Sequence, residues 1–430
     1  MNYQEVIEYL YDMLPMYQRI GTAAYKKDLT NTLALCQALG NPQTRFKSIH
    51  IAGTNGKGSS SHMLAAILSE NGYRTGLYSS PHLKNFGERI KIDGTQISEE
   101  EIINFVESNK KLIEDIQPSF FELTVAMAFN YFAMRKVDFA VIEVGLGGRL
   151  DSTNVILPEV SLITNISFDH QDLLGNTLGK IAFEKAGIIK NRTPIVIGEQ
   201  NREVRDVFVN QAAKMNAPIS FSYNNFQIED PFLSANGLQF NIRIIKENTL
   251  HPGSFENPGL YQLKNLPGVL SVVDILKDKG NDFDGQKIFK ALARYQSITG
   301  LKGRWQKLCD HPLIIADMAH NVGGIKEILD QLLKMECNIL YFILGAVKDK
   351  DVNKILPLFP VEANYYFCEP KVPRAMEARL LQRHASLLGI EGEVIPDVNN
   401  AIDVAKTRAG KDDIIFVGGS TFVVSEIRDL

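Results

Sequence analysis

The segment from Ile51 to Ser59, Ile-Ala-Gly-Thr-Asn-Gly-Lys-Gly-Ser, has the residue types and spacing to bind phosphate. It joins an apolar run at 48–52 to a strongly helical run at 59–71. A strand that turns through glycines into a helix directs backbone N–H groups and a positive helix end at one point, and Lys57 adds a cation. The usual phosphate-loop pattern has a small residue where Ile51 stands, and its hydroxyl is displaced here to Ser59. We predict a nucleoside triphosphate site formed by Thr54, Asn55, Gly56, Lys57, Gly58 and Ser59.

Polar residues also follow other apolar runs. Ser80 ends one such run, Glu143 lies near the end of a second, and Asp169 and His170 follow a third. Ser80 alone would be a turn former and His170 a loop histidine, but a carboxylate in an apolar strand is expensive to bury unless a cation or donor meets it. One hydroxyl, one carboxylate and phosphate oxygens suffice for Mg²⁺. Ser80 and Glu143 are therefore candidate ligands, and His170 would suit a second ion.

Length and composition restrict the class of protein. A chain of 430 residues exceeds one ordinary core and predicts two or three domains. Lys and Arg total 46 against 50 Asp and Glu, which disfavours a nucleic-acid binder with a broad cationic face. The four dispersed cysteines predict reduced thiols. The amino terminus does not resemble a signal peptide and no apolar stretch approaches membrane-spanning length, so we expect a cytoplasmic protein without a membrane partner.

Two α/β blocks must position these residues. Two amphipathic helices are predicted first, at 3–13 and 28–39, and strands then alternate with helices. The predicted strands are 48–52, 75–79, 138–144, 160–164, 194–197, 312–316, 338–344, 363–367 and 412–417. The predicted helices are 59–71, 98–116, 121–135, 177–190, 201–215, 321–335, 351–357, 375–388, 398–408 and 420–429. Strands 138–144 and 160–164 are apolar nearly throughout, which is typical of parallel strands covered on both faces.

We predict an α/β fold with two domains. Residues 1–297 would form a mostly parallel sheet that contains the phosphate loop and is flanked by helices. Residues 298–430 would form a smaller, Rossmann-like α/β domain. Short alternating runs in 220–250 predict an antiparallel hairpin insertion, and 296–302 lacks periodicity and is interpreted as the linker. Large ligands of such proteins usually lie in the cleft between the domains.

The order of motifs resembles one family. The motifs are the phosphate loop, Ser80-Pro-His82, Phe121-Glu122, Glu143 to Asp151, Asp169-His170, Glu184 to Ile188, Gly303-Arg304, Asp317 to Asn321, Gly345 to Asp351 and Gly419-Ser420. In this order and spacing the chain closely resembles folylpolyglutamate synthase, including its bifunctional dihydrofolate synthase form, within the Mur ligase superfamily. The resemblance extends from about residue 25 to the end of the chain.

The resemblance implies an ATP-dependent amide ligase of folate biosynthesis. In this family ATP phosphorylates a carboxylate of dihydropteroate or a folate, and the amino group of L-glutamate attacks the acyl phosphate. It implies an ATP-binding central domain at 1–297, a glutamate-ligase domain at 298–430 and two Mg²⁺ ions. The implied partners are small molecules only, with no nucleic acid, and the implied enzyme is a monomer. Phosphorylation makes a poor electrophile reactive, and two cations would offset the charge gathered during transfer.

Residue roles follow by position from the same resemblance. Asn265, Arg304 and Asp317 match nucleotide-contacting positions, and Ser80, Glu143 and His170 match the magnesium ligands. Lys185 matches a carbamylated lysine, in which CO₂ converts an ammonium into a carboxylate-like group; the alternative is a surface lysine paired with Glu184. His320 and Ser420 match positions that handle the incoming glutamate. The pterin-binding segments correspond to Asp28, Leu29, Ser119, Phe120, Phe121, Glu122, Leu150, Asp151 and Ser152. The residues implied in catalysis are Lys57, His170, carbamylated Lys185, Asp317 and His320.

Three departures and two alternatives remain at the level of sequence. Met318 stands where the family has glycine, Asn265 is followed by Leu-Pro-Gly instead of small alanines, and Gly303 lacks a preceding proline. One alternative is a Mur-type ligase that acts on a cell-wall nucleotide precursor, which would share the phosphate loop. The other is a phosphate-loop switch that hydrolyses ATP without ligation. The motifs do not separate the dihydrofolate synthase activity from the folylpolyglutamate synthase activity.

Overall fold

The computed structural model describes residues 1–15, 28–234, 237–256, 259–348 and 350–430. The chain divides into two compact units. The first comprises Met1–Glu256 and Gln262–Leu301, and the second comprises Lys302–Leu430 with a short segment that ends at Tyr261. Each unit contains a mostly parallel sheet with helices around it, which confirms the predicted α/β fold class. No helix in the described part of the chain is both long and apolar enough to cross a membrane.

The main sheet of the first unit has eight strands. They are β1 (Lys47–Ala52), β2 (Thr75–Tyr78), β3 (Ile90–Ile92), β4 (Thr95–Gln96), β5 (Phe139–Glu143), β6 (Val160–Ile163), β7 (Ile195–Ile197) and β8 (Ile219–Phe221). Their order is β4-β3-β2-β5-β1-β6-β7-β8. The six strands from β2 to β8 in this order run parallel, and β3 and β4 pair antiparallel at one edge. Because β1 lies between two strands that come later in the chain, the loop after β1 is at the point where the direction of winding changes.

Helices cover this sheet. In the first unit they are Tyr3–Met13, Thr30–Ala38, Lys57–Glu70, Glu99–Ser108, Lys110–Ile116, Phe120–Met134, Gln171–Leu174, Leu178–Ala186, Arg205–Lys214, Gln262–Asp278, Gly285–Ala293 and Tyr295–Thr299. The helix Lys57–Glu70 packs against β2 and β5, and Gln262–Asp278 packs against β6 and β7. All residues of β1 after its first, and all of β5, are buried. This explains the nearly continuous apolar runs in the sequence.

A second, smaller sheet of the first unit is antiparallel. It contains β9 (Phe226–Ser234), β10 (Gly237–Ile244) and β11 (Thr249–Phe255), with β10 in the centre. The sequence predicted a two-stranded hairpin at 220–250, and the structure extends it by a third strand. On β10, Leu238, Phe240 and Ile242 alternate with less buried residues, as expected for an antiparallel sheet with one face towards a core.

The second unit is a six-stranded sheet with five helices among its described residues. The strands are β12 (Gln306–Asp310), β13 (Leu313–Ala316), β14 (Leu340–Leu344), β15 (Asn364–Phe367), β16 (Gly392–Val394) and β17 (Ile414–Gly418). The helices are Val322–Leu332, Val352–Ile355, Ala378–Ser386, Val398–Arg408 and Thr421–Glu426. The strand order is β12-β13-β17-β14-β15-β16, and only β12 pairs antiparallel.

Several elements differ from the sequence-based predictions. The single helix predicted at 98–116 is two helices that meet at Asn109, whose side chain bonds back to Phe105 O. The predicted linker 296–302 overlaps the helix Tyr295–Thr299, which ends at Gly300 with a left-handed φ of 64°. Strands β3, β4, β8, β12 and β16 were not predicted, because two to five residues carry too little alternation to give a signal.

Candidate active site

The predicted site residues of the first unit follow four neighbouring strands. Ser80 comes after β2, Glu143 ends β5, the phosphate loop follows β1, and His170 lies in the loop after β6. These strands are adjacent and parallel in the order β2-β5-β1-β6, and Ile51 pairs directly with Glu143. Because the carboxyl ends of parallel strands share one edge of the sheet, the topology brings these segments to the same place.

The phosphate loop needs glycine at two positions. Gly53 has a φ of +153°, and a Cβ there would lie 1.8 Å from Thr164 Oγ1. Gly56 has a φ of +81°, and a Cβ there would lie 2.1 Å from Asn265 Oδ1. The helix Lys57–Glu70 starts directly after Gly56, a residue that has no side chain with which to cap the first turn. The positive end of a helix at a glycine-rich loop suits an anion.

The loop after β6 holds the phosphate loop in shape. Thr54 N donates to Asn165 O at 3.0 Å, and Asn55 N donates to Asn165 Oδ1 at 2.8 Å. Thr164 Oγ1 donates to Asn55 O at 2.6 Å, and Thr54 Oγ1 donates to Ser167 O at 3.1 Å. We did not predict Thr164, Asn165 or Ser167 as site residues. The signal that could have found them is the run Thr-Asn-Ile-Ser that follows an apolar strand.

Two lysines converge on the phosphate loop. Lys57 Nζ donates to Gly53 O and to Thr54 O, each at 3.2 Å, and Lys185 Nζ donates to Gly53 O at 2.8 Å. Lys185 is buried, so it is not the surface lysine of the alternative interpretation. Burial, with a smaller contribution from Lys57, lowers the pKa of Lys185 to about 7. A large fraction of this amine is therefore neutral near neutral pH.

Glu143 is a buried carboxylate at the end of β5. It is 3% exposed, and its Oε2 accepts a hydrogen bond from Ser80 N at 3.1 Å. His170 has a left-handed φ of 49° and lies beside Asp169, with 3.9 Å between His170 Nε2 and Asp169 Oδ2. The described residues contain no group of three or more His, Cys, Asp and Glu side chains that could hold a metal by themselves. Such a sparse donor set fits Mg²⁺, which keeps several waters and takes phosphate oxygens as further ligands.

The segments assigned to the pterin also approach one another. Ser119 and Glu122 form a capping box at the start of the helix Phe120–Met134, and Glu122 Oε2 accepts a hydrogen bond from Asn31 Nδ2 at 3.3 Å. This bond joins the start of the helix Thr30–Ala38, next to Asp28 and Leu29, to the segment 119–122. A Cβ on Gly145 would lie 2.4 Å from Phe121 Cζ. Phe121 therefore packs against the loop that leads to Leu150, Asp151 and Ser152.

Asn265 lies in the first unit, against the phosphate loop. Its Oδ1 contacts Gly56, and its Nδ2 donates to Gln262 Oε1 at 3.0 Å. Gln262 Nε2 in turn donates to Ser59 Oγ at 3.0 Å. The helix Gln262–Asp278 thus adds polar groups to the loop despite the unusual Leu-Pro-Gly that follows Asn265.

The predicted residues of the second unit include two that follow neighbouring strands. Asp317 follows β13 and Ser420 follows β17, and these strands are neighbours. Asp317 is buried, and its carboxylate accepts hydrogen bonds from Tyr261 Oη at 2.6 Å, Trp305 N at 2.7 Å and Ala319 N at 2.8 Å. Burial raises the pKa of Asp317 and the nearby Arg304 opposes this shift.

Two further residues of the second unit have local partners. His320 Nδ1 lies 2.9 Å from Met318 O, so Nδ1 carries the proton in this geometry. Ser420 is buried at the start of the helix Thr421–Glu426, and its Oγ accepts a hydrogen bond from Phe422 N at 3.2 Å. Tyr261 and Trp305, which hold Asp317, were not predicted, because nothing in their local sequence marks them as its partners.

Comparison with known proteins identifies the family. Residues 51–273 match the Mur ligase middle domain, and residues 303–421 match the Mur ligase, glutamate ligase domain. The chain is 30% identical over 436 residues to the dihydrofolate synthase/folylpolyglutamate synthase of Bacillus subtilis, with 99% of this chain and 98% of that protein covered.

Solved structures give the same result. The chain superimposes on the Mycobacterium tuberculosis folylpolyglutamate synthase complexed with ADP and AMPPCP with a TM-score of 0.88 and 31% identity, covering 99% of this chain and 98% of that one. It superimposes on the bifunctional folylpolyglutamate synthase/dihydrofolate synthase of Yersinia pestis complexed with AMPPNP and Mn ion with a TM-score of 0.83 and 27% identity, covering 99% and 97%. The motifs, the fold and these relatives together place the chain in the folylpolyglutamate synthase and dihydrofolate synthase family of the Mur ligases.

Proposed function

We propose that this chain uses ATP to join L-glutamate to dihydropteroate and to reduced folates. It is a ligase that forms a carbon–nitrogen bond and belongs to folate metabolism. The observation that carries the proposal is the meeting of Lys57 and Lys185 on one carbonyl oxygen of a glycine-rich loop, beside the buried carboxylate of Glu143. Cations and a metal-binding acid at a helix N-terminus suit the transfer of a phosphoryl group.

The chemistry needs activation of a carboxylate. The charge of a carboxylate repels nucleophiles, and oxide is a poor leaving group. Transfer of the γ-phosphoryl group of ATP to a carboxylate oxygen forms an acyl phosphate and ADP. The amine of glutamate then attacks the acyl carbon, loses a proton and displaces phosphate. The N–H groups of the phosphate loop and Lys57 are placed to stabilise the negative charge of the first step.

Ser80, Glu143 and His170 are the residues that would hold Mg²⁺. The metal would supply positive charge that offsets the negative charge of the phosphate groups. The protein's own contribution is to fix the Glu143 carboxylate by the hydrogen bond from Ser80 N and to shield it from bulk water.

We also propose that Lys185 is carbamylated. A neutral amine attacks CO₂ and releases one proton, and the depressed pKa of Lys185 supports this reaction near pH 7. The product is an anion close to the Lys57 ammonium, at the loop where the metal would supply further positive charge. An unmodified ammonium there would repel those cations.

The second unit has proposed roles that follow the family. We assign ATP binding to residues 1–297 and glutamate handling to residues 298–430, with His320 and Ser420 as contacts of glutamate and Arg304, Asp317 and Asn265 as contacts of the nucleotide. The buried, multiply hydrogen-bonded Asp317 supports a fixed geometry there. We propose a cytoplasmic monomer, and the free cysteines at 36, 309, 337 and 368 agree with a reducing compartment. Sedimentation would measure the oligomeric state.

The function is tested by assays run side by side. Phosphate release is measured with ATP, glutamate and either dihydropteroate or tetrahydrofolate, and in parallel with a cell-wall nucleotide precursor. We expect release with both pterin substrates and none with the precursor. Release with the precursor alone would contradict the proposal, and ATP turnover that ignores all acceptors would indicate a hydrolytic switch. Activity with only one pterin substrate would assign this chain to one of the two activities.

The metal assignment predicts a defect for Glu143→Gln. The amide keeps the shape and the acceptor for Ser80 N but loses the charge that a divalent cation requires. We expect the Mg²⁺ concentration for half-maximal activity to rise by roughly ten- to a hundred-fold. The matched control is Glu159→Gln. Glu159 precedes β6, at the amino ends of the parallel strands and away from the candidate site, and it pairs with Lys279 at 2.7 Å. An unchanged Mg²⁺ requirement in Glu143→Gln would remove this residue from the metal site.

A further inference from the structure

A buried chain of hydrogen bonds lies behind the proposed pterin segment. His50 Nε2, on β1, is 2.9 Å from Thr153 Oγ1. Thr153 Oγ1 donates to Asp151 Oδ1 at 2.5 Å, and Thr153 N donates to the same oxygen at 3.0 Å. Asp151 Oδ2 accepts from Leu146 N at 2.8 Å. All three side chains are at most 3% exposed.

The direction of each hydrogen bond follows from the number of protons. Burial raises the pKa of Asp151, but the N–H groups of Leu146 and Thr153 favour its carboxylate form, which only accepts hydrogen bonds. The single proton of the Thr153 hydroxyl is therefore donated to Asp151 Oδ1. Thr153 Oγ1 must then accept from His50, so His50 carries its proton on Nε2. Burial, with a smaller contribution from Lys190, lowers the pKa of His50 to about 3, so its ring is neutral. The hydrogen bonds are therefore donated in one direction, from His50 to Thr153 and from Thr153 to Asp151.

His50 is an expensive residue at this place. Its Nδ1 is buried and has no hydrogen-bond partner among the described residues. A buried acceptor without a partner destabilises the fold, whereas an apolar side chain on β1 would avoid this cost. The cost is understandable if the Nε2–H group has a function that a hydrocarbon cannot perform.

Asp151 links this chain of hydrogen bonds to the proposed pterin segment. Its carboxylate holds Thr153 on one side and the amide of Leu146 on the other, and Leu146 lies three residues after Glu143. The hydrogen bond between Leu146 and Asp151 therefore connects the two ends of the loop that follows Glu143 and leads into the proposed pterin segment 150–152. A carboxylate held by buried donors keeps a single orientation.

We propose that Thr153 and His50 are positioning residues that fix Asp151 and, through it, the segment 150–152 for the pterin substrate. This inference rests on the proposed function, because it assumes that 150–152 contacts the pterin. Neither residue contacts the reacting atoms. Their effect should therefore fall on the binding of the pterin substrate and not on that of ATP.

The central test is Thr153→Val, which preserves shape and removes the hydroxyl. We expect the KM for dihydropteroate or tetrahydrofolate to rise by roughly ten-fold or more, with the KM for ATP changed by less than about two-fold. Thr153→Ser keeps the hydroxyl and should restore the parent KM. Thr75→Val is the matched control: Thr75 is equally buried and its hydroxyl is bonded to Tyr73 O, but it lies at the amino end of β2. An unchanged KM in Thr153→Val would overturn the proposal, and so would equal defects in Thr153→Val and Thr153→Ser.

A double-mutant cycle tests the connection to His50. His50→Leu removes the donor, and His50→Gln offers an N–H near the position of Nε2. If the two residues act in series, Thr153→Val combined with His50→Leu should be no worse than the more defective single variant. If the rise in KM of the double variant equalled the product of the rises in the two single variants, the two residues would act independently and the proposal would be contradicted. His50→Gln should lie closer to the parent enzyme than His50→Leu does.

A substrate-free measurement separates this inference from the proposed function. In protein labelled with ¹⁵N-histidine, the resonances assigned by His50→Gln should show a neutral Nε2–H ring from pH 6 to pH 8 that is altered in Thr153→Val. If the His50 ring were charged or carried its proton on Nδ1, the proposed chain of hydrogen bonds would be wrong even if the enzyme were fully active. The parent protein could instead show the expected tautomer but neither bind nor use pterin substrates. That result would contradict the proposed function, and with it the role assigned to these hydrogen bonds.

Discussion

Replacement of Lys57 by methionine should lower kcat/KM by about a thousand-fold or more in the ATP-dependent ligation. Lys57 Nζ lies over the phosphate loop, where it donates to Gly53 O and Thr54 O at 3.2 Å. On ATP binding the same ammonium can reach the outer phosphates and offset the charge that develops during phosphoryl transfer. Methionine keeps the length and apolar stem of the side chain but has no charge. The measurement is phosphate release at saturating pterin substrate and glutamate.

The matched control for this variant is Lys47→Met. Lys47 begins β1, at the opposite end of the strand that leads into the phosphate loop, and its Nζ bonds to Asn281 Oδ1 at 3.1 Å. We expect parental kcat/KM and parental ATP affinity in this control. A Lys57→Met enzyme that retained kcat/KM within about two-fold of the parent would show that phosphoryl transfer does not occur at this loop.

Lys185→Met and Lys185→Arg should each lose activity by roughly a hundred-fold or more. Neither side chain can form a carbamate, and arginine retains the positive charge. Equal losses would therefore show that the chemistry of the amine matters and not its charge. The control is Lys180→Met on the same helix, because Lys180 is exposed and its Nζ donates to Asn176 Oδ1 at 3.3 Å. A fully active Lys185→Arg would contradict carbamylation.

If Lys185 is carbamylated, the stimulation of activity by dissolved CO₂ should depend on pH. The ordinary pKa of 10.5 for a lysine is lowered to about 7 at Lys185, first by burial and then by Lys57. Above pH 7 the amine is mainly neutral and has the lone pair that attacks CO₂, whereas below pH 7 it is mainly an ammonium. At fixed dissolved CO₂, stimulation of the parent by CO₂ should therefore decline as the pH falls through 7. Removal of CO₂ at pH 8 should reversibly lower activity, and no response to CO₂ at any pH would contradict the modification.

Local sequence was sufficient for the fold class and for the motifs of the first unit. A glycine-rich turn between strand and helix is a local pattern, so the phosphate loop and Lys57 were visible without a structure. The buried strands β1, β5 and β6 gave strong apolar signals for the same reason. The split helix at Asn109 and the short strand β16 escaped prediction, since their bounds depend on local capping and on neighbouring strands.

The partners of the site residues could not be read in the same way. Thr164 and Asn165 shape the phosphate loop from more than 100 positions away, and Tyr261 holds Asp317 from 56 positions away. Hydrogen bonds of this kind depend on which strands become neighbours. A single sequence without related sequences contains no signal for such pairing.

The amino-acid sequence alone determined the order of chemical groups along the chain, and with them the α/β class and the family, and it predicted the position of the ATP site. Only the tertiary structure decided that Lys185 is buried against Gly53 O, that Glu143 receives the amide of Ser80, and that His50 reaches Asp151 through Thr153. The physical reason is that residue type and short spacing set local conformation, whereas burial and pKa depend on groups that the sheet order β2-β5-β1-β6 brings together.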